Sequence, residues 1–182
     1  MAIYVTSDAH GHVRALDEAL SKISLASDDT LYVLGDMIDR GPDPVGVIKL
    51  VRSLPNARVL KGNHEQIMLD AIIGQDPLDA ETWDINGGWT TRQQLNDMEF
   101  EAYEELVRWM ATLPLYAVAE TDERPYLLVH AGIQTEAARA FLLEHGVDCA
   151  DGAGAVDADR ELLKQMLAVQ SSDDLLWIRH GY

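Results

Sequence analysis

An α/β fold built on a parallel sheet is what this 182-residue sequence predicts. Three features carry the prediction: short β-branched apolar runs recur, each is followed by apolar residues at helical spacing, and every run empties into a polar cluster. The first run, Ile3 to Val5, ends in Ser7-Asp8-Ala9-His10-Gly11-His12, after which Val13, Leu16, Ala19, Leu20 and Ile23 predict an amphipathic helix. The second, Leu31 to Leu34, ends in Gly35-Asp36-Met37-Ile38-Asp39-Arg40-Gly41-Pro42. Pro42 and Pro44 stiffen that loop before Val45, Val47, Ile48, Leu50 and Val51 continue as a helix, closed by Leu54-Pro55-Asn56. The third, Ala57 to Leu60, runs into Lys61-Gly62-Asn63-His64-Glu65, and Ile67, Met68, Ala71 and Ile72 mark the helix after it. Strand, loop and helix three times over read as βα units with right-handed crossovers.

From residue 74 to 113 the pattern changes. Trp83, Asn86-Gly87-Gly88-Trp89 and a helix carrying Phe100, Tyr103, Leu106, Val107 and Met110 predict a helical insertion whose polar loop roofs the loops just described. Leu115 to Val118 and Tyr126 to Val129, joined by the turn-rich Glu120 to Pro125, read as a hairpin that ends in His130-Ala131-Gly132. Gly146 to Ala158 is Gly-, Ala- and Asp-rich and reads as a mobile loop without a P-loop ending. A helix over Leu162 to Leu167 leads to Leu175-Leu176-Trp177-Ile178-Arg179-His180-Gly181-Tyr182. No repeat or linker divides the chain, so residues 1–182 are expected to form a single domain.

Composition narrows the function classes. A net charge of -17 argues against nucleic-acid and anionic-membrane partners, which recruit basic surface. Cys149 is the only cysteine and is expected to be a small packing residue; with a start that lacks a basic region and no run near ~20 apolar residues, the expected location is the cytoplasm.

Four apolar runs each end in a polar cluster: Asp8/His10, Asp36/Asp39/Arg40, Asn63/His64 and His130. In one parallel sheet these ends lie side by side, at the carboxyl edge where such sheets hold ligands. Carboxylate, imidazole and amide groups together suit borderline divalent ions such as Mn²⁺, Fe²⁺ and Zn²⁺. His12 is expected in the first helical turn, His145 at a helix end, and Glu65 in a structural role. Trp83 and Trp89 read as packing residues.

Asp8-Ala9-His10, Gly35 to Gly41, Gly62 to Glu65 and His130-Ala131-Gly132 occur in the order of the D-x-H, G-D-x-x-D-R-G, G-N-H-E and H-A-G segments of a known family. On these segments, supported by Asn86-Gly87-Gly88 and Trp177-Ile178-Arg179, the sequence resembles the calcineurin-like metallophosphoesterases, in particular the bacterial and phage branch of Ser/Thr protein phosphatases. The resemblance implies a layered sheet core with flanking helices and a two-metal hydrolase that attacks with a metal-bridging hydroxide. By the same resemblance Asp8 and His10 bind one ion, Asp36 bridges both, and Asn63 and His130 bind the second. Mn²⁺ is the favoured ion, with Fe or Zn as alternatives. His64 is the implied general acid, Asp39 its orienting carboxylate, and Arg40 and Arg179, with Asn63, the implied phosphate-binding groups.

The expected activity is therefore phosphomonoester hydrolysis of the Ser/Thr protein phosphatase kind, on a phosphorylated protein or a small phosphoester. Asp39-Arg40 and Glu65 lean toward that branch. The alternatives are symmetrical cleavage of dinucleoside polyphosphates, and an inactive phosphate-binding or interaction module. The family places a further metal-binding His well after the W-x-R segment, whereas three residues follow Arg179 here, and His180 stands too close to fill that place. The expectation is a C-terminally truncated fold whose apolar Leu175 to Ile178 is covered either by self-association or by further residues of a longer parent sequence.

Overall fold

The computed structural model describes residues 1–74, 76–122, 124–147 and 159–178. The chain forms two compact units, residues 1–114 and 115–182. The first unit opens with β1 (Ile3–Thr6), α1 (Val13–Ile23), β2 (Thr30–Val33), α2 (Pro44–Ser53), β3 (Ala57–Val59) and α3 (Asn63–Ile73). The strands form a parallel sheet in the order β1-β2-β3. Thr6 pairs with Val33 and Val33 with Val59, so all three strands end level with one another. That register brings the three loops that follow to one edge.

Helix boundaries follow local chemistry. Pro44 opens α2, where its missing N–H costs nothing, and the Asp43 side chain accepts the Gly46 N–H at 2.9 Å. Asp76 and Pro77 start α4 (Pro77–Ile85) in the same way. α5 (Trp89–Asn96) and α6 (Phe100–Ala111) follow it. The core of this unit joins Leu31 and Val33 to Val47, Ile48 and Val51 of α2, Met68 of α3 and Met110 of α6, all buried.

The second unit contains β4 (Tyr116–Glu120), β5 (Pro125–Val129), α7 (Thr135–Glu144), α8 (Arg160–Ala168) and α9 (Ser172–Trp177). β4 and β5 pair antiparallel as a separate two-stranded sheet. This corrects the expectation of four run ends in one parallel sheet: two five-residue strands pair with each other, and only three of the ends share the first sheet. A second correction concerns Leu175 and Leu176, expected to need a partner's cover. They are 1% and 2% exposed, and Leu175 packs with Leu142 of α7 and Leu163, Met166 and Leu167 of α8. The stretch is helical because Ser171 caps it, accepting the Asp174 N–H at 3.0 Å. His145 ends α7 as expected, its Nδ1 bonding to the Phe141 carbonyl at 2.8 Å. Residues 148–158, which include Cys149, lie outside the described residues. No described helix is long and apolar enough to cross a membrane.

Candidate metal and catalytic centre

The loops after β1 and β2 are laced together through their backbones. Asp8 N–H donates to the Gly35 carbonyl (3.2 Å), His10 N–H to Asp36 O (2.9 Å) and Gly11 N–H to Met37 O (2.9 Å). Holding these bonds requires left-handed backbone at Asp8, His10, Asp36, Asp39 and Arg40, with φ between 40° and 69°. Among the described non-glycine residues only Ser24 shares that conformation. Such strain costs roughly 1–3 kcal/mol per residue and gathers at functional sites. Gly35 (φ 89°) completes the crossing, since a Cβ there would stand 2.3 Å from the Gly62 nitrogen.

Asp36 and Asp39 were expected at the strand end because a core cannot hold bare carboxylates. They are at that end, yet 3% and 0% exposed, because each is given partners there. Asp36 Oδ1 accepts the His64 N–H at 3.0 Å. The Asp39 carboxylate accepts His64 Nδ1–H (2.7 Å), the Thr91 hydroxyl (2.6 Å) and the Trp83 indole N–H (3.1 and 3.2 Å). Met37 and Ile38, both 0% exposed, anchor the same loop in the core. Glu65 has the structural use expected of it: from the first turn of α3 its carboxylate accepts the N–H groups of Gly62, Asp36 and Met37, each at 2.8 Å. It thereby ties the loop before α3 to the loop after β2. Burial, reinforced by the Asp36 charge, pushes its carboxyl above the usual range.

Both histidines are held in a defined tautomer. His10 Nδ1 bonds to the Ile38 carbonyl at 2.8 Å and so carries the proton, as His64 Nδ1 does toward Asp39. Their Nε2 lone pairs both accept from Arg40, at 2.9 Å for His10 and 2.7 Å for His64. Burial lowers the His10 imidazole from its ordinary pKa, which favours the neutral form a metal needs. His10, Asp36 and His64 offer ligand atoms all within 4.8 Å of one another. Asp36 Oδ2 lies 3.5 Å and Asp8 Oδ1 3.9 Å from His10 Nε2. The Arg40 guanidinium thus places a positive charge where two imidazole lone pairs and a buried carboxylate converge, and that donor set fits a divalent cation.

Of the residues singled out in the sequence, Asp8, His10, Asp36, Asp39, Arg40 and His64 meet at this edge. Asn63 is there too, 4% exposed, as the first residue of α3. His130 follows β5 in the second unit and is partly buried there. Arg179 and His180 lie outside the described residues. Missed as site residues were Trp83, 3% exposed, and Thr91, 0% exposed. Neither had a local signal in the sequence, since their contacts with Asp39 span 44 and 52 residues.

Comparison with known proteins places these loops in context. A family model described as "Calcineurin-like phosphoesterase" matches residues 1–179. The symmetrical bis(5'-nucleosyl)-tetraphosphatase of Erwinia tasmaniensis is 32% identical over 136 residues, 73% of this chain and 45% of that protein. Among solved structures, a metallophosphoesterase from Sphaerobacter thermophilus aligns with a TM-score of 0.50 and 27% identity, over 71% of this chain and 46% of that one. A protein serine/threonine phosphatase from Saccharomyces cerevisiae gives a TM-score of 0.55 at 19% identity, over 96% of this chain and 48% of that one, a likeness of fold alone. The chain spans about half the length of the curated relatives it matches.

Proposed function

Because this chain belongs to the calcineurin-like phosphoesterase family, we propose that it is a metal-dependent phosphoester hydrolase that cleaves dinucleoside polyphosphates symmetrically. The observation that carries the hydrolase reading is the convergence of His10, Asp36 and His64 with the Asp39–His64 pair behind them. The substrate class rests on the curated relatives, which are named symmetrical bis(5'-nucleosyl)-tetraphosphatases. The phosphoprotein reading expected from the sequence loses one of its two supports. Glu65 is spent on three backbone N–H groups, so its presence says nothing about the substrate.

In this reading residues 1–182 work as one domain. His10, Asp36 and Asp8 would hold one divalent ion, and Asn63, beside them at the start of α3, would help to hold a second. When bound, such ions neutralise phosphoryl charge and lower the pKa of water. Arg40, exposed and forked, binds the equatorial phosphoryl oxygens, and Arg179 is assigned the same task. With Asp39 keeping hold of Nδ1–H, the His64 Nε2 lone pair takes a proton from solvent once Arg40 turns to the phosphoryl oxygens, and gives it to the leaving phosphate oxygen. Beside these loops a cavity of about 540 Å³, lined by His12, Val13, Arg14, Ala15, Pro42 and Asp43, gives the second half of a dinucleotide a place to lie.

Product analysis tests the reading. Purified protein with Mn²⁺ and diadenosine tetraphosphate should yield ADP as the sole nucleotide product, with a kcat/KM above that for a phosphoserine peptide. ATP with AMP as products, or a preference for the phosphopeptide, would reject it.

A further inference from the structure

We infer that Trp83 and Thr91 are positioning residues for proton delivery, acting on His64 through Asp39. The inference rests on the reading of His64 as proton donor. One bond to His64 would satisfy only part of a carboxylate, and the structure closes the rest from two helices that carry none of the residues assigned to the reaction. Trp83 lies on α4 and sends its N–H to both Asp39 oxygens, at 3.1 and 3.2 Å. Thr91 lies on α5, donates its hydroxyl to Oδ1 at 2.6 Å, and accepts the Asp39 main-chain N–H at 2.9 Å. One threonine therefore grips both the backbone and the side chain of a residue whose φ is 69°. With Oδ1 held by Thr91, Oδ2 is left to face His64 Nδ1 at 2.7 Å.

The indole is itself pinned. A Cβ at Gly88 would stand 2.2 Å from Trp83 Cδ1, so the chain presses directly on the ring, and the Arg92 guanidinium lies 5.1 Å from its centroid. The same segment reaches the reacting side of the loop, where the Gly87 carbonyl accepts the Arg40 N–H at 3.0 Å. Asn86-Gly87-Gly88 and Trp83 thus serve one purpose: they fix the carboxylate plane that fixes the imidazole ring. With that plane loosened, His64 keeps its partner but presents Nε2 over a range of directions, and the proton reaches the leaving oxygen less often.

Trp83→Phe keeps the ring volume and removes the N–H; Thr91→Val removes the hydroxyl and Thr91→Ser keeps it. The readouts are kcat on an alkyl phosphate and on p-nitrophenyl phosphate, metal content, and the low-field proton NMR signal of His64 Nδ1–H in metal-free protein. Trp83→Phe and Thr91→Val should each lower kcat on the alkyl ester by about tenfold, a fraction of the roughly 10²- to 10⁴-fold that a general acid contributes. The aryl ester should lose about twofold or less, because its leaving group needs no proton. KM and metal content should hold, the NMR signal should shift or broaden, and Thr91→Ser should restore wild-type behaviour. In a His64→Ala background neither substitution should cost anything further, since the residues act as one unit. Equal losses on both esters, or losses that add fully to that of His64→Ala, would overturn the inference while leaving the hydrolase reading intact. If His64→Ala itself lowers both esters equally, the proton-donor role fails and the inference falls with it. Should Trp83→Phe not fold, the Thr91→Val and Thr91→Ser pair decides alone.

Discussion

Glu65 shows what a single buried side chain does in this centre. Its two oxygens take three backbone N–H groups from two loops, and no water reaches them, since the residue is 0% exposed. Glu65→Ala strands all three donors, and each buried unsatisfied group costs on the order of 1–3 kcal/mol. Urea unfolding of the variant should therefore show a loss of roughly 3 kcal/mol or more, with Glu65→Gln between it and the wild type. A loss below about 1 kcal/mol would mean that the loops are held by other contacts. At this scale Asp8, His10, Asp36, Asp39 and His64 were legible because each stands two to five residues past a short apolar run. Trp83 and Thr91 were not, because their contacts with Asp39 span 44 and 52 residues and leave no local pattern.

The elements that carry the centre are three strands of three or four residues, so their register needs outside support. Asp29 supplies part of it at the foot of β1 and β2, accepting the Ala2 N–H at 2.6 Å and the Ala26 N–H at 3.0 Å. Those two bonds hold its carboxyl below the usual range. A carboxyl whose folded pKa is depressed stabilises the fold above its unfolded pKa, and that contribution is lost as pH falls through the folded value. Asp29→Ala should accordingly lower Tm at neutral pH, with the difference from wild type shrinking as the solution is acidified. A difference independent of pH would show that the charge of Asp29 contributes nothing. The three βα units were legible because apolar run, polar cluster and helical spacing recur three times. The pairing of β4 with β5 was legible as a hairpin, but its separation from the parallel sheet was not, since sequence spacing does not say which strand edge a hairpin meets.

For the whole molecule the dominant feature is charge. A net charge of -17 repels a polyphosphate from most of the surface, and in the proposed reading Arg40 receives it at the strand-end loops. Screening that repulsion should lower KM: raising NaCl from 20 to 200 mM, which shortens the Debye length from about 20 Å to about 7 Å, should lower it for diadenosine tetraphosphate more than for p-nitrophenyl phosphate. A rise in KM with salt would instead point to a dominant local attraction by cationic groups. The central claim is that the loops after β1, β2 and β3 build a divalent-metal centre that hydrolyses phosphoesters, and metal removal followed by restoration tests it most directly. Protein stripped with chelator and assayed on diadenosine tetraphosphate should be inactive. Added Mn²⁺ should restore turnover in step with bound metal, and Asp36→Asn should fail to regain either. An unchanged rate after stripping, or full metal binding and turnover by Asp36→Asn, would contradict the account.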